Sequence, residues 1–331
     1  MTTPDPKSAP AIRWGILGAG GIAHKMADAI IHHTASELVA VGSRTPGKAE
    51  AFVADAGEGT AYTSYEEVVN DPDVDAVYVA TTHNDHHEPA LLAIEAGKHV
   101  LVEKAFTQNT AQAETVIAAA RAKGVYLQEA MWTRFLPHVV ELRAAIERGE
   151  IGDIVSLQAD HSQALTHVER MFRPELAGGA LLDLGVYPIA FAHDILGVPD
   201  AITAVGRLRD TGVDGQVSMV FEYPTSQATL HTTMEVRGPN TAVITGTEGR
   251  IEIADTFYAP STFTVTRQDG TSWTYDGRVE NGFQYEAAEL ARNVAEGRME
   301  SAILPLDQTL EIMRIMDEVR DQIGLVYPNE R

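Results

Sequence analysis

The chain has 331 residues, 25 Lys and Arg against 47 Asp and Glu, and no cysteine, for a formal net charge of −22. The length suggests about two domains, and the charge argues against nucleic acid or an anionic membrane as partner. Without cysteine there are no disulfides, thiolate metal ligands or cysteine nucleophiles. The N-terminus shows no signal-peptide pattern. No stretch approaches about 18 uninterrupted apolar residues, so a cytoplasmic protein is the expectation.

In chain order, residues 1–11 are polar and proline-rich and are expected as a flexible tail. A short apolar strand over 12–17 runs into Gly18-Ala-Gly-Gly-Ile-Ala23, and a helical pattern follows. Further strands are predicted over 38–41, 74–80, 99–102 and 125–128, and helices over 48–56, 64–69, 89–96 and 110–123. Ser64 and Glu67 have the spacing of a capping box. Alternation of this kind marks a parallel sheet covered by helices, an α/β domain over residues 12–130. Beyond it, strand-like runs at 154–159, 201–209, 216–223, 228–236, 241–245, 250–253 and 262–267 are separated by turn signals such as Asp214-Gly215, Gly238-Pro239 and Asp269-Gly270. They predict a mostly antiparallel open sheet in a second, α+β domain over residues 131–331. Helices at 180–196, 283–296 and 306–323 complete it, and the terminal helix has the option of packing back on the first domain.

The first loop fits Gly-x-Gly-x-x-Ala between strand and helix. Gly18 allows the tight turn, Gly20 the approach of a pyrophosphate, and Ala23 close helix–strand packing, while the helix N-terminus offers N–H groups. Gly21 and Ile22 belong to the same cradle. An acid at the end of the second strand would select NAD; Ser43 and Arg44 stand there instead. A guanidinium suits a 2′-phosphate, so NADP is the expected cofactor, with NAD or a merely solvated Arg44 as the alternatives.

Glu103 and Lys104 end a strand at the side where ligands sit in such sheets. Lys104 either serves the reaction or leaves Glu103 to a structural ion pair. In the second half, Asp183 and Tyr187 are four residues apart on a helix and face one way. A tyrosine beside an ammonium exchanges protons with a carbonyl or alcohol; the alternative is a core tyrosine and an ordinary helix charge. Pro188 predicts a kink or restart there. His83, His86 and His87 with Asp85 lack a helical His-Glu-x-x-His core, and no metal is expected. His24 either approaches a phosphate or sits on a helix surface. His161 follows a predicted strand and is a candidate on the substrate side.

Taken together, residues 18–23, 95–104 and 178–187 resemble the glucose–fructose oxidoreductase / inositol dehydrogenase (Gfo/Idh/MocA) family of NAD(P)-dependent enzymes. Residues 129–137 and 149–153, Tyr285-Glu-Ala and Leu304-Pro-Leu306 are most similar to its dimeric dihydrodiol dehydrogenase branch. The resemblance implies a Rossmann domain followed by an open sheet whose outer face makes homodimers or larger assemblies. It implies catalytic roles for Lys104, Asp183 and Tyr187, and places Thr81, His86 and Glu103 with the cofactor. Trp132 and Arg134 match the dihydrodiol branch and are expected to wall the substrate site with Phe135, His161 and Phe283. Ala105 departs from the family's proline after the lysine, which leaves the aim of Lys104 open.

The expected activity is hydride transfer between nicotinamide and a vicinal diol, sugar or related hydroxy-carbonyl compound. Tyr187 would be the general acid or base, Lys104 would stabilise its phenolate, and Asp183 would orient the substrate hydroxyl or the lysine. Two other readings fit the same residues: an NAD-dependent inositol- or aldose-type dehydrogenase, and a regulatory protein that holds dinucleotide without turnover.

Overall fold

The computed structural model describes residues 3–330. The chain divides into two compact units, one made of Pro4–Trp132 with Asn281–Leu310, the other of Thr133–Glu280 with the residues from Glu311 onward.

The first unit contains β1 (Arg13–Leu17), α1 (Gly21–His33), β2 (Glu37–Gly42), α2 (Lys48–Ala56), β3 (Thr60–Tyr62) and α3 (Tyr65–Asn70). It continues with β4 (Ala76–Val79), α4 (His87–Glu95), β5 (His99–Glu103), α5 (Thr110–Lys123) and β6 (Leu127–Ala130). The six strands lie in the order β3-β2-β1-β4-β5-β6, all parallel. Helices cover such a sheet on both faces, which is why β4 and β6 are buried along their whole length rather than alternately. The Ser64–Glu67 capping box forms as expected at the start of α3. Chain order reverses between β1 and β4, which makes the loops after these two strands the place where such sheets bind ligands.

Part of the expected tail is ordered. Pro6–Ser8 form a 3₁₀ turn, Pro6 and Ala9 are buried, and Arg292 donates to the Asp5 carbonyl at 2.7 Å. Burial of two small apolar residues and a charge-assisted hydrogen bond hold what composition alone reads as loose.

The second unit holds α6 (Pro137–Glu147), β7 (Ile154–Ser162), α7 (Val186–Leu196), β8 (Ala201–Leu208), β9 (Asp214–Glu222), β10 (Gln227–Thr233), β11 (Ala242–Gly246), β12 (Gly249–Ile253), β13 (Thr262–Arg267) and β14 (Ser272–Asp276). Its eight strands run β14-β13-β12-β11-β7-β10-β9-β8. Every pairing is antiparallel except β7 with β10. Asp214-Gly215, expected as a turn, begins β9 instead, and the chain reverses over the preceding residues, where Arg209 N–H donates to the Val213 carbonyl at 2.8 Å. Then α8 (Gln284–Ala295) returns to the first unit, and α9 (Leu306–Ile323) follows.

The segment Pro174–Leu196 has the length and apolar composition of a membrane span, yet 94% of its most apolar window is buried inside the protein, as befits a core helix. Within it, Leu181–Gly185 form one π-helical turn before α7 starts at Val186. The backbone stays helical through Gly185 and Val186, so the disturbance expected near Pro188 takes the form of this π turn just before it rather than a break.

Candidate active site

In the first unit, the chain leaves β1 at Leu17 and enters α1 at Gly21. Gly18 has φ +107°, and a Cβ there would lie 2.6 Å from the Ala80 carbonyl oxygen at the end of β4. No residue with a side chain fits that close approach. Gly18 N–H donates to the Gly42 carbonyl at 2.9 Å, fixing the loop to the end of β2. Gly20 is the N-cap of α1, and no side chain caps the helix. A Cβ on Gly20 or Gly21 would meet nothing within 4 Å. The first amides of α1 therefore face open space with a partial positive charge, and Ile22 and Ala23 follow on the helix itself, Ala23 buried against the sheet. This cradle fits a dinucleotide pyrophosphate.

Ser43 and Arg44 follow β2 directly. Ser43 Oγ accepts from the Thr45 amide at 3.2 Å. The Arg44 guanidinium lies 4.8 Å from the centre of the Tyr65 ring and forks onto the carboxylate of Asp85. His24 stacks on Phe52 at 4.0 Å and pairs with Asp55 at 3.3 Å, which places it on the helix surface rather than at the loop.

Thr81 Oγ1 donates to the Asp85 carbonyl at 2.8 Å. His86 is buried, with Nδ1 2.9 Å from the Ala105 carbonyl oxygen and Nε2 3.3 Å from that of Thr81. Burial holds its pKa below the ordinary imidazole value, and the ring ties the loop after β4 to the residue following Lys104. The Lys104–Ala105 peptide bond is cis. Buried Glu103 accepts from the Tyr78 hydroxyl and, at 3.1 Å, from the Lys104 amide. Glu286 on α8 is fully buried, and burial, reinforced by the charges of Glu103 and Glu129, holds its pKa well above the carboxylate range. Trp132 stacks on Phe283 with ring centres 4.6 Å apart, so two of the expected substrate-side aromatics meet.

In the second unit, Asp183 lies on the π turn and Tyr187 on the first turn of α7. His161, at the end of β7, meets the Tyr187 ring edge-on at 5.0 Å and stacks on Tyr258 at 3.7 Å. Tyr258 also lies 4.8 Å from Tyr187. Gln163 Nε2 donates to His161 Nε2 at 2.9 Å and to the Tyr258 hydroxyl at 2.8 Å, while His161 Nδ1 sits 3.1 Å from the Leu184 carbonyl oxygen. That pattern assigns the neutral tautomer with the proton on Nδ1. Burial pushes Tyr258 up to about 12, so it stays a neutral phenol. Arg170 donates to both Asp183 oxygens at 3.1 and 3.3 Å. Arg170 lies in a short 3₁₀ turn and Gln163 and Tyr258 in loops; none carries a motif, and the sequence reading did not single them out.

The start of this segment is held from elsewhere in the same unit. Asp214 Oδ2 accepts from the Leu181 amide at 2.7 Å, and burial pushes this carboxyl up to about 7. Gly179, at φ +115°, leaves room for it, since a Cβ there would lie 2.0 Å from Asp214 Oδ1. Tyr327 donates to the Gly178 carbonyl at 3.0 Å.

Two further residues expected on the substrate side, Arg134 and Phe135, are buried, Arg134 against the helix that carries Tyr187. The Arg134 guanidinium donates to Asp194 at 2.9 Å and to the Ala190 carbonyl at 3.3 Å. A guanidinium out of water requires such a partner. Phe135 is likewise buried, as core.

The protein matches known families over most of its length. Residues 12–131 match the model described as oxidoreductase family, NAD-binding Rossmann fold, and residues 139–252 the GFO/IDH/MocA C-terminal domain. The chain is 36% identical over 332 residues to a trans-1,2-dihydrobenzene-1,2-diol dehydrogenase of Mus musculus, covering 97% of this chain and 99% of that protein. It is 35% identical over 364 residues to a D-xylose 1-dehydrogenase (NADP(+)) of Hypocrea jecorina, covering 96% and 93%. Among solved structures, a 3-ketoreductase from Actinomadura kijaniata in complex with NADP and TDP-benzene superposes with a TM-score of 0.86 at 28% identity, covering 95% and 98% of the two chains.

Proposed function

Because the chain belongs to the Gfo/Idh/MocA family of oxidoreductases, we propose that it is an NADP-dependent dehydrogenase or reductase of a vicinal diol, sugar or related hydroxy-carbonyl compound. The observation that carries the reading is the Tyr187–His161–Tyr258 cluster with the Arg170–Asp183 pair. A phenol, a neutral imidazole and an oriented carboxylate in one place suit proton exchange with a hydroxyl. Relatives named for a dihydrodiol and for D-xylose support the substrate class.

A bound nicotinamide dinucleotide supplies or accepts the hydride. The residues do the rest. As phenolate, Tyr187 takes the substrate hydroxyl proton in oxidation; as the resulting phenol it returns that proton in reduction. His161, locked in one tautomer, holds the Tyr187 ring by its edge. Asp183, pinned by Arg170, accepts from a substrate hydroxyl and sets its orientation. Lys104 is proposed as a second catalytic group, with its backbone held by Glu103 and, through Ala105, by His86.

NADP is favoured over NAD by Ser43 and Arg44 in place of an acid after β2, and by the NADP in the names of two relatives. The test is a panel of diols, aldoses and ketosugars with both cofactors, read at the nicotinamide absorbance. Arg44→Ala is expected to weaken NADPH binding about tenfold or more and to leave NADH nearly unchanged. An unchanged NADPH affinity would overturn the cofactor assignment, and tight binding without turnover on any substrate would favour a sensor.

A homodimer through the outer face of the second sheet is also proposed. Register places Thr203, Val220, Thr229, Gln158 and Val243 side by side across five strands, a row without charge in a chain of net −22. Val205 beside it is 70% exposed. Uncharged, partly apolar rows of this kind are what an isologous interface buries. Val205→Glu is expected to shift the protein toward monomer by sedimentation or light scattering; a wild-type monomer would overturn the proposal.

A further inference from the structure

The acid that NAD-binding folds place after β2 is missing from the sequence there, yet a carboxylate occupies the neighbourhood. Asp85 ends the short turn after β4, and β2 and β4 are the two strands flanking β1 and its glycine loop. The backbone of Asp85 is fixed: its amide donates to the Thr82 carbonyl at 2.7 Å and its carbonyl accepts from Thr81 Oγ1 at 2.8 Å. Its side chain takes both outer nitrogens of Arg44, with Nη1 3.4 Å from Oδ1 and Nη2 against Oδ2. Tyr65 lies under the same guanidinium. Arg44 is 61% exposed and Asp85 21%, so the guanidinium is reachable from solvent and its ion pair is partly screened.

A 2′-phosphate and the Asp85 carboxylate are therefore rivals for one guanidinium. The phosphate meets Arg44 only by displacing or sharing it with a residual negative charge alongside. A ribose without the phosphate brings a hydroxyl, and a hydroxyl donates to a carboxylate. We propose that Asp85 is a specificity-determining residue that lowers the enzyme's preference for NADP over NAD, by competing for Arg44 and by accepting from the bare ribose hydroxyl. The proposal rests on dinucleotide binding at the glycine loop. The loop after β4 thereby takes on a task that the end of β2 performs in NAD-selective folds.

The experiment is fluorescence titration of the full-length protein with NADPH and with NADH, using wild type, Asp85→Asn, Asp85→Ala and Arg44→Ala. Asp85→Asn removes the charge but keeps an acceptor oxygen; it is expected to tighten NADPH about tenfold. Asp85→Ala removes both, and is expected to tighten NADPH similarly and weaken NADH several-fold. The circular dichroism spectrum of each variant checks the fold. If NADPH weakens in both variants, Asp85 instead prepares Arg44 for the phosphate and the proposal is wrong. An unchanged ratio of the two affinities overturns it as well. A wild type that binds neither nucleotide defeats the dinucleotide reading itself, which separates that failure from this one.

Discussion

Tyr187→Phe is expected to lower kcat by roughly 10²–10⁴-fold, the usual contribution of a positioned general acid or base, while NADPH affinity stays within about twofold of wild type. The substitution removes one oxygen and keeps the ring. The ring contacts with His161 at 5.0 Å and Tyr258 at 4.8 Å survive, so thermal stability should hardly change. The nucleotide cradle belongs to the other unit of the chain, which separates a chemical defect from a binding defect. Steady-state kinetics and a nucleotide titration on the same preparation decide the matter. Near-normal turnover in the phenylalanine variant would remove Tyr187 from the mechanism and shift attention to Tyr258.

The largest effect on stability is expected at Asp194. Its carboxylate accepts from Arg134 at 2.9 Å and from Arg143 at 2.7 Å. The side chains of Arg134 and Asp194 are only 4% and 5% exposed. Asp194→Ala leaves a buried guanidinium without its counter-charge, and breaking such a pair destabilises by roughly 3–5 kcal/mol. A chemical denaturation midpoint should fall accordingly. Replacing both buried partners at once, Arg134→Met with Asp194→Leu, is expected to recover part of the loss, because only the less buried Arg143, 22% exposed, then lacks its counter-charge. A double variant as unstable as the single one would mean that the charges themselves, rather than the unpaired arginine, set the stability.

The parallel half of the fold was legible because its determinants are local. Glycine loop, capping box and strand–helix alternation each occupy a few adjacent residues, and each appears where the pattern predicts. The second half was legible strand by strand but not in its arrangement. Nothing in residues 154–162 announces that β7 will lie between β10 and β11 and run parallel to β10. Pairing across so long a stretch of chain is decided by which faces bury together, a non-local outcome. The helix α6 and the strands β3 and β14 also escaped the sequence reading; β3 and β14 are short and partly exposed, so their patterns are weak.

The site divides in the same way. Asp183 and Tyr187 sit one helical turn apart and announce themselves by spacing. Their partners Arg170, Gln163 and Tyr258 lie in a 3₁₀ turn and in loops before and well after them, where a single arginine, glutamine or tyrosine carries no signal. Arg134 shows the converse: its motif is recognisable, but a motif does not announce the buried pair that its guanidinium makes with Asp194. Asp85 likewise reads as a loop acid until its grip on Arg44 is seen.

The return of Asn281–Leu310 to the first unit has a consequence for dissecting the protein. The chain crosses between units at 3/4, 132/133, 280/281 and 310/311, so no single cut separates them. A fragment ending at Trp132 would lack α8, and with it the backbone carbonyl of Glu286 that accepts from Gln128 and the Asn293 amide that donates to Tyr126. The nucleotide-binding half, contiguous as it looks in a family match, is not a transplantable cassette. An autonomous version would need residues 281–310 stitched back onto it by an artificial linker.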